Sequence, residues 1–189
     1  AGSFDYSFLR CIPNMIIMAP RDENECRMML STGYAFEGPA AVRYPRGSGT
    51  GAAVQATLDT LPIGKGEILQ KGTRAAILAY GSMVEICRPV ATAMDLTLID
   101  MKFIKPLDEA LVLEMAATHR LMVTVEENAI AGGAGSAVAE YLAEQQQTVD
   151  LVHLGLPDAF LDHASPKEML SSVGLDAAGI QHSIAARLG

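Results

Sequence analysis

Short apolar runs alternate along this chain with longer stretches in which apolar and polar positions mix at helical spacing. The runs fall at residues 15–18, 75–79, 96–99, 121–125 and 149–152. Most show little in/out alternation, which predicts strands covered on both faces. The helix starts are marked by side chains. Asp22, Ser82 and Ser165 each stand three residues before a glutamate (Glu25, Glu85 and Glu168), the spacing of a reciprocal cap. Pro166 adds a preset φ at a first helical position. Asp176 is expected to cap the last helix, where Ile180, Ile184 and Leu188 recur every four residues, and Val138, Tyr141 and Leu142 share one face of another. Strands alternating with helices predict an α/β fold: a mostly parallel, helix-covered sheet with right-handed crossovers.

The pattern changes between residues 47 and 62, where Gly47-Ser48-Gly49-Thr50-Gly51 introduces a stretch that reads as a flexible connector. Residues 1–50 read as a helix–strand–helix–strand remnant of an α/β domain, too small to bury its own sheet. Residues 51–60 are the linker, and residues 61–189 make a domain of ordinary size. The opening, without an initiator methionine, is expected to be the middle of something longer.

Composition narrows the function. Half of the 189 residues are apolar, enough for a buried core, and the ten methionines read as its filler. The formal charge of −8 disfavours nucleic acid as a partner. No apolar run approaches the roughly 18 residues that span a bilayer, and no basic-then-apolar leader opens the chain. Cys11, Cys26 and Cys87 form neither a zinc pattern nor a disulfide framework, so the cytoplasm is the expected location.

Two segments carry candidate chemistry. In Val42-Arg43-Tyr44-Pro45-Arg46-Gly47, Pro45 forces Tyr44 into an extended conformation and Gly47 permits a sharp exit. Arg46 is thereby held at a strand end, where ligands of open α/β sheets collect, and its planar fork suits phosphate. An ion-paired or solvated arginine near a hinge is the other reading. Arg43 is taken as structural. The second segment, Glu126-Glu127-Asn128 followed by Gly132-Gly133-Ala134-Gly135-Ser136, has the strand–turn–helix order of an anion cradle. Its spacing matches no phosphate loop or dinucleotide fingerprint, and two carboxylates would repel an anion. A tight, close-packing turn is favoured, with Glu126 and Glu127 on opposite faces. His119, His153, His163 and His182 show no metal-ligand spacing and default to structure or surface; His119 is placed to complement a helix C-terminus. The residues alone assign no catalytic, cofactor-binding or metal-binding position.

Several stretches in order carry a resemblance. They include Gly2-Ser3-Phe4-Asp5, Phe8-Leu9-Arg10-Cys11-Ile12-Pro13, Arg43-Tyr44-Pro45-Arg46-Gly47, Leu61-Pro62-Ile63-Gly64-Lys65-Gly66 and Lys105-Pro106-Leu107-Asp108. Val125-Glu126-Glu127-Asn128, Gly155-Leu156-Pro157-Asp158 and Gly174-Leu175-Asp176-Ala177-Ala178-Gly179 complete the set. Across essentially its whole length the chain resembles the 1-deoxy-D-xylulose-5-phosphate synthase family of the transketolase superfamily. The resemblance implies the end of a pyrimidine-binding domain up to about residue 50, then a transketolase-type C-terminal domain. It implies an enzyme that uses thiamine diphosphate and magnesium to join pyruvate to D-glyceraldehyde 3-phosphate, as a homodimer, with an N-terminal cofactor-binding domain as further partner. Arg46 corresponds to an arginine that binds the aldehyde's phosphate. Residues 32–39 depart from the family pattern and on that ground are expected to be a surface turn without functional weight. The family's cofactor-activating glutamate, the histidine of its His-x-Gly motif and the diphosphate and magnesium ligands belong upstream of Ala1. The segment alone is therefore expected to be inactive and to bind no cofactor, and the glycine-rich turn to serve domain or subunit contacts. The alternatives are a piece of another transketolase-superfamily enzyme and a non-catalytic dimerisation module.

Overall fold

In a computed structural model, residues 3–189 are described; Ala1 and Gly2, where the first family-like motif begins, lie outside the described residues. The order is α1 (Asp5–Arg10), β1 (Ile16–Met18), α2 (Glu23–Ala35), β2 (Ala40–Val42), β3 (Glu67–Gln70), β4 (Ala76–Ala79), α3 (Met83–Met94) and β5 (Thr97–Asp100). There follow β6 (Phe103–Lys105), α4 (Glu109–Thr118), β7 (Leu121–Ala129), α5 (Ala134–Glu144), β8 (Asp150–Leu156), α6 (Pro166–Ser172) and α7 (Ala177–Leu188).

The five-stranded sheet runs β3-β5-β4-β7-β8. Its β5, β4, β7 and β8 are parallel, and β3 adds an antiparallel edge. The lack of alternation in the strand sequences has a direct cause. Ile77 and Val123 face a cluster closed by Val84, Cys87, Ile180 and Ile184 from α3 and α7. Their neighbours Leu78 and Met122 face the opposite cluster, closed by Val112, Met115, Val138 and Leu142 from α4 and α5. Each fully buried side chain of this size contributes about 1.5–3 kcal/mol, so both faces are mainly apolar, and the buried Thr97, Asp100, Thr124 and Glu126 on these strands each have a polar partner.

The first fifty residues solve their burial problem by sharing. A second sheet runs β2-β1-β6, with β1 parallel to β2 and antiparallel to β6 through Ile17↔Lys105 and Met18↔Phe103. Ile16, Met18, Met29 and Phe103 form its core. Beside it an ionic cluster crosses the same boundary. Arg21 lies 3.0 Å from the fully buried Asp100, and Lys102 bridges Glu25 at 3.5 Å and Glu67 at 2.7 Å. Burial and the neighbouring Glu25 push the Asp100 carboxyl well above the usual carboxylate range.

Several local expectations need correction. Ser165 and Glu168 form the full reciprocal cap, and Asp176 caps α7 through Gly179 N. Asp22 accepts from Glu25 N, but the Glu25 carboxylate turns to Arg21 N instead of closing the box. Ser82 makes no cap hydrogen bond, because its hydroxyl donates to Glu127 Oε2 at 3.0 Å. The supposed surface turn at 32–39 begins with the last helical turn of α2, and Thr32 is buried there, accepting from Leu61 N. Gly33 lies within the helix and lets it approach β2, since a Cβ there would stand 3.3 Å from Ala40 Cβ. The connector, expected to be flexible, is strapped along α2. Glu23 accepts from Gly51 N and Ala52 N, Asn24 accepts from Gln55 N, and Arg27 donates to the carbonyls of Ala56 and Thr57. Among the described residues, no helix is long and apolar enough to cross a membrane.

Candidate functional site

The chain leaves β2 with its ladder still running, since Arg43 N donates to Met18 O at 2.8 Å. The Arg43 side chain then turns inward. Its Nε lies 3.4 Å from Asp5 Oδ2, its guanidinium 3.6 Å from Glu127 Oε2, and it donates to the Glu127 carbonyl at 2.6 Å. The same guanidinium stacks over the Tyr6 ring, 5.2 Å from the centroid. Arg43 thus ties the ends of β2 and β7 to α1, which is the structural part expected of it.

Residues 44–47 are exposed and form a wall between two clefts, because Tyr44, Pro45 and Gly47 line both. On one side a cleft of about 520 Å³ is lined by Arg27, Leu30, Leu58 and Thr50. On the other, a cleft of about 610 Å³ brings Arg46 together with Asp5, Arg43, Tyr44, Glu127 and His163. Arg46 is exposed at this mouth and, among the described residues, forms none of the ion pairs. Its sequence readings narrow to a solvated guanidinium or a ligand contact.

The glycine-rich turn is decided by geometry. Both N–H groups at the start of α5, those of Ala134 and Gly135, donate to Glu126 at 2.7 Å, one to each carboxylate oxygen. The anion of this cradle is therefore supplied by the preceding strand. Burial is the larger influence on Glu126 and pushes its carboxyl up to about 7, against the downward pull of the two N–H groups. Glu127, one residue on, faces the cleft, as strand alternation requires. The turn also holds α1. Ser7 Oγ donates to Ala131 O, Arg10 to the carbonyls of Gly132 and Gly133, and the buried Asn128 side chain accepts from Tyr6 N.

The close-packing reading is visible at Gly135, where a Cβ would lie 2.5 Å from both His153 Nδ1 and Thr124 Oγ1. Those two atoms are hydrogen-bonded at 2.8 Å. Gly135→Ala is therefore expected to destabilise the chain by about 1–3 kcal/mol, read as a lower urea midpoint at unchanged slope. His119 sits at the end of α4, with Nδ1 at Met115 O and Nε2 at Thr97 Oγ1. His182 is exposed on α7. Among the described residues no group of three or more metal-ligating side chains stands together. Sequence reading left His163 among the surface histidines; its place on the Arg46 cleft had no sequence signal, because about 115 residues separate the two.

Comparison with known proteins follows the same outline. The family model "Transketolase, C-terminal domain" matches residues 64–180, and "Transketolase, pyrimidine binding domain" matches residues 1–50. A 1-deoxy-D-xylulose-5-phosphate synthase of Thioalkalivibrio sulfidiphilus is 58% identical over 188 residues, covering 100% of this chain and 29% of that protein. The synthase of Alkalilimnicola ehrlichii is 60% identical over 184 residues, 97% of this chain and 29% of that protein. The chain thus spans under a third of these relatives. A solved structure described as a split-gene transketolase, an inactive beta4 tetramer, superposes with a TM-score of 0.84 at 28% identity, over 97% of this chain and 61% of that one.

Proposed function

This chain belongs to the transketolase family, and on that premise we propose that it is the C-terminal part of a cytoplasmic 1-deoxy-D-xylulose-5-phosphate synthase. Residues 1–50 complete the pyrimidine-binding domain, 51–60 connect, and 61–189 form the C-terminal domain. The whole enzyme releases CO2 from pyruvate and joins the remaining two-carbon unit to D-glyceraldehyde 3-phosphate. Its partners are the N-terminal cofactor-binding domain and a second subunit.

The observation that carries this reading into the structure is the division of labour between two arginines. Arg43 is spent on Asp5, Glu127 and Tyr6, which fixes the strand end. Arg46, three residues further along, is presented to the cleft with no internal partner among the described residues. A planar guanidinium in that position binds two oxygens of a phosphate at once and leaves the aldehyde end of the substrate to the rest of the enzyme. No residue of this chain is assigned to the bond-making step.

When bound, thiamine diphosphate supplies the electron sink for decarboxylation. The residues present here do not fit its diphosphate or magnesium. The glycine-rich helix start, the natural place for a diphosphate, is filled by Glu126. Diphosphate and magnesium binding falls to the N-terminal domain.

Two measurements test the proposal. Full-length protein given pyruvate and D-glyceraldehyde 3-phosphate is expected to evolve CO2 and form the five-carbon product; CO2 without that product would refute the assignment. The 189-residue chain alone, titrated calorimetrically with thiamine diphosphate and magnesium, is expected to give no binding heat, and micromolar affinity would contradict the division of roles. The split-gene relative favours one further reading, a module that assembles without catalysis. The intact mass of the native gene product separates the two.

A further inference from the structure

The geometry points to His163 as a second phosphate contact, facing the same acceptor substrate as Arg46 and setting preference for phosphorylated over unphosphorylated aldehydes. The inference rests on the phosphate reading of Arg46 and extends it to a residue from the opposite end of the chain.

His163 lies in the stretch between β8 and α6, and it lines the Arg46 cleft together with Tyr44, Ala164 and Met169. Its position is set from both sides. Two residues earlier, Leu161 packs against the α3–α7 core cluster. Two residues later, Ser165 closes the reciprocal cap of α6 with Glu168, through a 3.3 Å bond to Glu168 N and a 3.0 Å bond back from Ser165 N. The exposed Phe160 meets Phe4 edge-on, with ring centroids 6.2 Å apart. The imidazole between these anchors is exposed and forms none of the hydrogen bonds among the described residues.

The charges around the cleft explain why a second donor matters. Asp5 and Glu127 both line it and would repel a dianion. Arg43 pairs with both and is consumed in doing so, offsetting one of the two negative charges. What remains on the lining to meet a phosphate is the Arg46 guanidinium from the β2 exit and the His163 imidazole from the stretch before α6. An imidazole carries an N–H donor in either protonation state, so it can bind a phosphate oxygen that the Arg46 fork leaves over. Among the described residues, the 163–169 stretch lines the cleft with His163, Ala164, Pro166 and Met169, so its phosphate donor would be the histidine.

The test uses the full-length enzyme and two acceptors, D-glyceraldehyde 3-phosphate and D-glyceraldehyde. His163→Ala is expected to raise the KM for the phosphorylated acceptor by about 5- to 30-fold, with kcat and the unphosphorylated reaction close to wild type. His163→Gln, which keeps an N–H donor, is expected to recover most of the loss. Equal losses with both acceptors would mean that His163 only supports the fold, and would overturn the inference. Wild-type KM in His163→Ala alongside a raised KM in Arg46→Ala would overturn it while leaving the Arg46 reading intact. Wild-type values in both variants would overturn both.

Discussion

Replacing Glu126 with alanine is expected to cost this chain about 2–5 kcal/mol of stability, the largest loss from any single side chain described above. The figure follows from two buried N–H groups at the start of α5, each of which loses its acceptor at about 1–3 kcal/mol. Glu126→Gln should cost roughly half as much, because an amide accepts from one N–H and turns a donor toward the other. The same pair of proteins carries a pH signature. The unfolded carboxyl titrates near 4.5 and the folded one near 7, so between those values the folded chain holds a proton that the unfolded chain has lost. The contribution is therefore complete below about pH 4.5, declines as pH rises through 7, and is level above it. Wild-type stability measured relative to Glu126→Gln should fall by about 3 kcal/mol across that window. A difference that stays flat with pH, or grows, would show that Glu126 is ionised throughout.

Arg46→Ala in the full-length enzyme should raise the KM for D-glyceraldehyde 3-phosphate and lower kcat/KM by about 10- to 150-fold, the equivalent of a charge-assisted, bidentate contact worth about 1.5–3 kcal/mol. Lysine at the same position should recover only part, since a point charge cannot reproduce the planar fork. Pyruvate kinetics should stay near wild type, because the phosphate belongs to the other substrate. An unchanged KM for the phosphorylated aldehyde would remove Arg46 from substrate binding. The variant should fold normally, as Arg46 is exposed and its neighbour Arg43 holds the strand end.

What could be read from the sequence and what could not divides along physical lines. The β4, β5 and β7 strands were legible because burial on both faces leaves each with a mostly apolar run and no in/out alternation. The β3 and β6 strands were not. Glu67, Gln70 and Lys105 break their apolar character, and both exist because a neighbouring strand offers a ladder. Caps made within four residues were legible, as at Ser165 and Asp176. Ser82 was misread because its hydroxyl finds a partner 45 residues away in Glu127. The glycine-rich turn was read correctly as unsuited to an outside anion, yet the reason was only half visible. The Glu126 carboxyl group itself occupies the place that an outside anion would take. Arg46 was legible because proline and glycine bracket it locally; whether it binds phosphate rests on kinetics.

The strand shared across the two halves changes what counts as a unit. By sequence the border falls near residue 61, but hydrogen bonding does not respect it, since β6 belongs to the later half and completes the earlier half's sheet. A shortened version starting at Leu61 would keep the five-stranded sheet and strip β6 of its neighbour. Phe103 would then stand bare beside an unpaired edge, an invitation to self-association. Anyone dividing this polypeptide for biophysics should leave α1 and β1 together with the later half, because Tyr6 of α1 is also buried in its core.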